Sequence, residues 1–424
     1  MPTLSAETHT SISDTGGIIA VASYQDINLF NSSSNVPIWN YSLTSLPDTG
    51  NAGPVCLTSD GNYFIATAFR NDTSTALFFS KNSPTSLWKI RIPNRIYGVN
   101  ISRNDSVAII SSYNTFVVVN VFSGSIRYTG SITYGTQAKQ GISGDGSYIA
   151  TVDYHGFLKL YQWTGSTYTL KWQFQEPTGT YYNWHTAVDI SNDGTHVISG
   201  TLVFLTSSTY TGRIRYFNTN SNVPIWVYND GGDQITQVQF NEKGNIAVAS
   251  TWGPLDNTQP DFIVFKTLPE TNTPPVIYGL NTPGSMYYCS ISRSGTVAVT
   301  DGKAVHARNM GYGGFFYNFD IDTSYGPTSV INTGEIVSNY NLYQNYPNPF
   351  NPYTVIKFSV PKNSFVSIKV YDMLGRKIID LVNRYYQQGM YSAGFDATNL
   401  PSGIYYYKIS ADNFSEVKKM VLIK

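Results

Sequence analysis

The chain has 424 residues, 27 basic and 27 acidic, so its formal net charge is zero. Charged residues make up 13%, hydrophobic residues 41% and aromatics 15%, with 33 tyrosines. That balance excludes wholesale disorder and argues against nucleic-acid binding, which needs a basic footprint. Two cysteines exclude a disulfide scaffold and a cysteine-rich zinc site.

No apolar run approaches the ~18 residues that span a bilayer, so no transmembrane segment is expected. Met1 to Thr10 carries neither a basic stretch nor an apolar one, so no secretory signal is visible there.

One pattern then repeats seven times. An apolar residue is followed by a small polar residue, a turn with Asp, Asn or Gly, and a short Val/Ile/Ala run. The copies start at Ile12, Leu57, Ile101, Ile142, Ile190, Phe240 and Ile291, as in LTSDGNYFIATA and ISGDGSYIATV. Their spacings run from 41 to 51 residues, close to the ~40–50 that a four-stranded propeller blade needs. Each unit predicts four strands. The first ends at the starting apolar residue, and a tight turn leads into a short second strand such as Ile18–Ala22 or Tyr148–Val152. A third strand follows, as at Phe116–Val119 and Phe157–Tyr161. The fourth carries an aromatic: Trp39, Trp88, Trp172 and Trp226, then Tyr278, then Phe315 to Tyr317 in the seventh unit. The prediction is a seven-bladed β-propeller over residues 1–322. Its last blade carries its own four strands, ending near Asp320, and the ring closes by packing of the first blade on the last.

Residues 323–340, rich in Ser, Thr, Gly and Asn, read as a linker. Residues 341–424 differ in style and charge, with ten Lys/Arg against five Asp/Glu. Three prolines, Pro347, Pro349 and Pro352, cannot lie in a central strand or a helix. About seven short alternating strands follow, which predicts a small Ig-like β-sandwich.

The tryptophan spacing and the PIWxY strands resemble PQQ-like and WD40-like bacterial propeller repeats, although no blade carries a full signature. That resemblance implies fold alone. Quinone-dependent members use calcium ligands and often a vicinal disulfide; no adjacent Cys pair is present, so no cofactor is carried over.

The terminal segment resembles the type A C-terminal sorting domain of the type IX secretion system. The matching pieces are QNYPNPFNP at 344–352, VYDMLGRKI at 370–378, NLPSGIYYYKI at 399–409 and the closing KKMVLIK. The motif residues are Tyr346, Pro347, Asn348, Pro349, Phe350, Asn351 and Pro352, with Gly375 and Gly403. The resemblance implies export to the outside or to the outer-membrane surface of a Bacteroidota-like bacterium. It implies two partners, the secretion machinery and a peptidase that removes the domain. Cargo of this system first needs a Sec signal, so the N-terminus is expected to be truncated.

Most of the chemistry-bearing residues have a plain structural reading. The recurrent Asp14, Asp60, Asp105, Asp145 and Asp193 read as turn residues. The histidines at 9, 155, 185, 196 and 306 show no metal-ligand spacing, and no metal site is expected. Cys56 and Cys289 read as separate free thiols. The four tryptophans read as inter-blade packing. His9, His185, Asp189 and Lys139 are the polar candidates for a channel-mouth site. Tyr181, Tyr182, Trp184 and His185, with Trp252 in a second insertion, break the repeat. They form the best ligand surface, because non-repeated loops on a repeat scaffold carry binding.

The expected function is a secreted or surface-displayed monomeric binding protein for a glycan, a peptide or an envelope protein. The alternative is an exported polysaccharide hydrolase or lyase, although no paired-carboxylate motif is legible.

Overall fold

A computed structural model describes residues 8–45, 50–256, 258–268, 270–282, 284–310, 313–322, 326–331, 339–362, 364–386, 389–398 and 400–423. The chain is all-β, with one short 3₁₀ turn at Leu43–Ser45 and no α-helix among the described residues. Six successive sheets each contain four consecutive antiparallel strands in chain order. The first is Thr8–Ile12, Ile18–Ser23, Asp26–Asn31 and Pro37–Ser42; the sixth ends at Val276–Leu280. The seventh starts the same way, with Ser285–Ile291, Val297–Lys303, Gly314–Asp322 and Gly326–Ile331, and then continues into strands of the C-terminal segment. This serial arrangement is consistent with propeller-like blades.

The repeat motif makes the turn between the first two strands of every sheet. One residue per copy has a positive φ: Gly16, Gly61, Asp105, Gly146, Gly194, Gly244 and Gly295. Six are glycine, which has no Cβ to clash there, and Asp is one of the few other residues that tolerates it. The small polar residue three places earlier closes the turn. Its side chain accepts the backbone N–H that opens the second strand, as in Tyr148 N to Ser143 Oγ (2.9 Å) and His196 N to Ser191 Oγ (2.9 Å). Asn241 does the same with its side-chain oxygen toward Ile246 N (3.0 Å). The turn aspartates have a turn role in three sheets, where Asp60, Asp145 and Asp193 each accept the N–H two residues on. Asp105 reaches the neighbouring sheet instead and accepts Ser59 N and Oγ (both 2.8 Å).

Hydrogen bonds at this turn face link each sheet to the next. Asp14 N donates to Ser59 O, Ser59 N to Asp105, Asn104 N to Gly144 O and Gly144 N to Asn192 O. Phe240 N then donates to Asp189 Oδ2 (2.9 Å), and Glu242 N to Arg293 O. Arg293 of the seventh sheet lies 3.5 Å from Asp14 of the first. Farther out, the tryptophans tie sheets together. Trp39 Nε1 donates to Lys81 O, Trp88 Nε1 to Val121 O and Trp172 Nε1 to Thr219 O. Trp226 stacks on Phe265 of the next sheet at 5.2 Å. The rows between sheets are filled by Ala, Val, Ile and Phe at 0% exposure, as at Phe64, Phe79, Ile198 and Phe262. Cys56 and Cys289 are free thiols on the second and seventh sheets.

Two expectations shift. Phe315 to Tyr317 belong to the third strand of the seventh sheet, not the fourth. The connection between its second and third strands, 304–313, displaces every later strand toward the C-terminus. The fourth strand is Gly326–Ile331, inside the stretch read as linker; residues 323–325 and 332–338 of that stretch lie outside the described residues.

The C-terminal segment forms two layers. One layer is Ser364–Asp372, Lys377–Tyr386, Gly403–Ala411 and Phe414–Leu422. The other is Asn341–Leu342, Tyr353–Val360 and Gly389–Asp396, joined to the seventh sheet through Gly326–Ile331. Between them lies a core of Phe350, Phe358, Ile368, Tyr391, Tyr407 and Met420. Tyr353 Oη also donates to Ile277 O (2.9 Å) on the sixth sheet.

Candidate functional site

Antiparallel order places the glycine turns at one face of the sheets. The turns between second and third strands, and the connections from sheet to sheet, lie at the opposite face. Aromatic residues concentrate on that opposite face across the third to fifth sheets. His155 is held between two tyrosines. Tyr134 stacks on it at 3.8 Å and 7°, and Tyr182 on its other side at 3.9 Å and 9°. The three rings come from three separate backbone segments, so the stack also clamps those segments together.

A second row runs beside the first. Tyr113 lies 6.3 Å from Tyr154, Tyr154 4.8 Å from Trp184, Trp184 5.2 Å from Phe204, and Phe204 5.3 Å from Tyr210. Tyr181 meets Phe204 at 6.3 Å. The row continues through Arg308, whose guanidinium lies 3.8 Å over Tyr210 and 5.3 Å over Trp252. Asp233 holds that guanidinium in a fork, at 2.6 and 2.8 Å. Tyr113, Tyr134 and Tyr181 are 42–43% exposed and Tyr182 54%, so ring surface remains open to solvent.

Local chemistry sets these positions. Asp153 accepts the N–H groups of His155 and Phe157 (both 3.0 Å), and Gly156 takes φ +78°. That turn presents His155. Buried Asn183 ties the Tyr181–Tyr182 loop down: it donates to Pro177 O (2.6 Å) and accepts Phe204 N (2.8 Å). Beneath lies a buried ion group. Glu176, at 0% exposure, receives Arg215 through Nε (2.5 Å) and Nη2 (2.6 Å) and Arg213 at 3.0 Å. Burial alone would raise the Glu176 carboxyl, but the Arg215 hydrogen bonds and charge outweigh it and hold it below the usual range.

The structure therefore brings together Tyr181, Tyr182, Trp184 and, through Arg308, Trp252. It sets His185 apart. That ring is fully enclosed, with Nδ1 2.9 Å from Gly156 O and Phe174 edge-on at 6.1 Å. Burial pushes its pKa down to about 4, against the pull of Glu176. A register shift between His185 and Ala187 interrupts the ladder where the ring turns inward. His9 is half-buried in the first strand of the first sheet, opposite Ala22, and Lys139 is exposed in the connection before the fourth sheet.

Asp189 lies at the glycine-turn face. It lines a cavity of about 120 Å³ with Asn100, Arg103, Asn192, Gln239 and Glu242. Burial pushes its pKa up to about 6, although Phe240 N–H, Lys139 and Arg103 pull the other way. Arg103 also pairs with Asp14, and Arg293 with Glu242. No group of three or more His, Cys, Asp or Glu side chains among the described residues is placed to hold a metal ion.

Sequence reasoning missed Tyr113, Tyr134, Tyr154, Phe204, Tyr210 and Arg308, and noted of His155 only that it has no metal-ligand spacing. A usable signal existed for some of them. Tyr113 lies one residue and Tyr154 two residues past the second strand of a repeat unit, the position that opens the loop face.

In the C-terminal segment, the proline run packs against the final strand. Phe350 is buried, its N–H donates to Val421 O (2.9 Å), and its carbonyl accepts Ile423 N (2.9 Å). Asn348 accepts Val421 N (2.9 Å). Asn345 N donates to Tyr407 Oη (2.8 Å), which donates on to Tyr343 O (2.9 Å). The peptide bonds before Pro347 and Pro349 are cis. Tyr346 is exposed, as is Asn351, and Pro352 O accepts Ala397 N. Gly375 takes φ +76° in a turn whose amides at Leu374 and Arg376 bond Asp372 (both 2.9 Å). Gly403 opens a core strand.

Residues 344–424 match the secretion system C-terminal sorting domain. This sorting tail marks the chain as cargo of the type IX machinery, secreted to the cell surface or outer membrane. No curated protein matches the chain. No helix among the described residues is long and apolar enough to cross a membrane.

Proposed function

We propose that residues 1–331 form a seven-bladed β-propeller whose last outer strand is Gly326–Ile331, followed by an Ig-like sorting sandwich at 341–424. In this reading the whole works as a monomeric surface-displayed binding protein. The chain of hydrogen bonds from the first sheet to the seventh, and from Arg293 back to Asp14, supports a closed ring. The sorting domain serves as the address and as the substrate of a processing peptidase. The ring carries the function.

The observation that carries the binding reading is the aromatic loop face of the third to fifth sheets. Its loops combine Tyr and Trp with Thr, Ser, Gly and Asn. That composition gives rigid, amphipathic contact area together with adaptable hydrogen bonding. Tyr181, Tyr182 and Trp184 are direct contact residues, Trp252 extends the face through Arg308, and His185 positions the loop from beneath. His9, Lys139 and Asp189 belong to the polar channel instead.

The test is a surface-capture experiment. Purified full-length chain and its Tyr134→Ala/Tyr182→Ala variant are incubated with outer-membrane and culture-supernatant fractions, and bound material is quantified. Tenfold or greater loss of capture by the folded variant supports the reading. Equal capture by both removes it.

A further inference from the structure

The chemistry of the loop face narrows its ligand. This step rests on the binding reading above. From Tyr113 to Phe204 the charged side chains of the face are mostly spent inside the fold. Glu176 is enclosed by Arg213 and Arg215. Asp153 is buried and caps its own turn. Lys139 is the exposed charged residue in the connections that bear Tyr134 and Tyr182. What reaches solvent is tyrosine ring, tyrosine hydroxyl, and the Thr, Ser, Asn and Gln of the loops.

An anionic polymer needs an array of cations to replace its counterions, and a basic peptide needs an array of carboxylates. Neither array is present among the described residues of these loops. A surface of open rings edged by hydroxyls and amides suits a ligand with apolar C–H faces and many neutral hydroxyls. The rings are also fixed before the ligand arrives. His155 holds Tyr134 and Tyr182 parallel, and Asn183 pins the loop between. Little side-chain entropy is then lost on binding, which is where much affinity of shallow sites is otherwise spent.

We infer that this face binds an uncharged polysaccharide, its sugar rings stacking on the exposed tyrosines around the Tyr134–His155–Tyr182 stack and its hydroxyls bonding the loop amides and hydroxyls. Tyr182 is the central platform, since it is the most exposed ring of the stack. Tyr113 and Tyr181 are flanking contacts.

The experiment is affinity electrophoresis of the full chain in gels carrying xyloglucan, galactomannan or mixed-linkage β-glucan, with alginate and dextran sulfate as anionic arms. Circular dichroism and melting confirm that each variant is folded. The expected result is retardation by at least one neutral polymer that persists at 0.5 M salt. It weakens tenfold or more in Tyr182→Ala and stays within threefold in Tyr182→Phe, which keeps the ring. Retardation only by the anionic polymers, abolished by salt, overturns the neutral-glycan assignment. No retardation by any polymer, with surface capture still lost in the Tyr134/Tyr182 variant, also overturns it while the binding face stands. If capture too is unchanged, both readings fall.

Discussion

Removal of the Glu176 carboxylate should expose how the loop face is supported. Glu176 directly follows the fourth strand of the fourth sheet, is fully buried, and meets two arginines from the fifth sheet at 2.5 to 3.0 Å. Arg215 is itself 8% exposed at its side chain, and its guanidinium also lies 5.1 Å over Phe174. Glu176→Gln keeps the shape but leaves this guanidinium buried without its counter-charge. Breaking one side of a buried pair costs about 3–5 kcal/mol. The Glu176→Gln/Arg215→Met double variant should regain at least half of that loss, because no charge is then stranded. Denaturant unfolding followed by tryptophan fluorescence reads both numbers from the midpoint shift at unchanged slope.

The pH profile gives an independent reading. The Glu176 carboxyl sits below its ordinary value in the fold. The unfolded chain therefore takes up the proton first as pH falls. The stabilisation is complete above the ordinary glutamate range and is lost as pH drops through the depressed native pKa. Glu176→Gln should lack this acid-side component. A loss below about 1 kcal/mol, or a double variant worse than the single, refutes the account of a buried, mutually dependent pair.

Three further outcomes follow from the geometry. Gly146→Ala forces a Cβ to φ +72° and to 2.8 Å from Val107 Cγ2, so it should cost about 1–3 kcal/mol; thermal melting checks this, and an unchanged midpoint contradicts the turn argument. Asp189, pushed up to about 6 by burial, binds its proton more tightly folded than unfolded. Its contribution is complete below the ordinary aspartate range and is lost as pH rises from there toward about 6. Asp189→Asn should flatten that fall, by roughly 1–3 kcal/mol at pH 7, in denaturation curves taken between pH 3 and 7. Phe350→Ala empties a buried site in the sorting domain and should cost about 3–5 kcal/mol of that domain's stability. Surface display in a type IX host should drop several-fold while the isolated full chain keeps its ligand binding.

The repeat was readable because its turn needs particular chemistry at fixed positions. A positive-φ residue and a hydroxyl or amide three places before it leave the same mark in every copy. Asp105 in place of glycine did not hide it. Trp39, Trp88 and Trp172 were readable for a similar reason, since each donates to an acceptor on the next sheet, while Trp226 stacks on Phe265 instead. The stack of Tyr134, His155 and Tyr182 left no such mark. Its members sit on three connections of different length and sequence, and nothing local in any of them announces the other two. His185 lies on the first strand of the fifth sheet, and periodicity could not see the register shift that turns its ring into the core. The seventh sheet was misread at its outer strand because an aromatic run, Phe315 to Tyr317, imitates the outer-strand signature while a long connection delays it. The sorting domain was legible throughout, because its prolines, its Asp372 to Arg376 turn and its closing strand each meet a specific partner.

The join between Arg293 and Asp14 is made by side chains, as are the Arg103–Asp14 and Arg293–Glu242 pairs, but the other neighbouring sheets also share a bond from a backbone amide. Elsewhere a backbone amide spans from one sheet to the next. Here two side chains meet at 3.5 Å, and Arg293 is half exposed. Such a clasp is screened by dissolved ions, whereas amide links are not. In the ring proposed above, the first and seventh sheets are thus fastened by the contact most sensitive to brine, and concentrated salt would unlatch the circle there first.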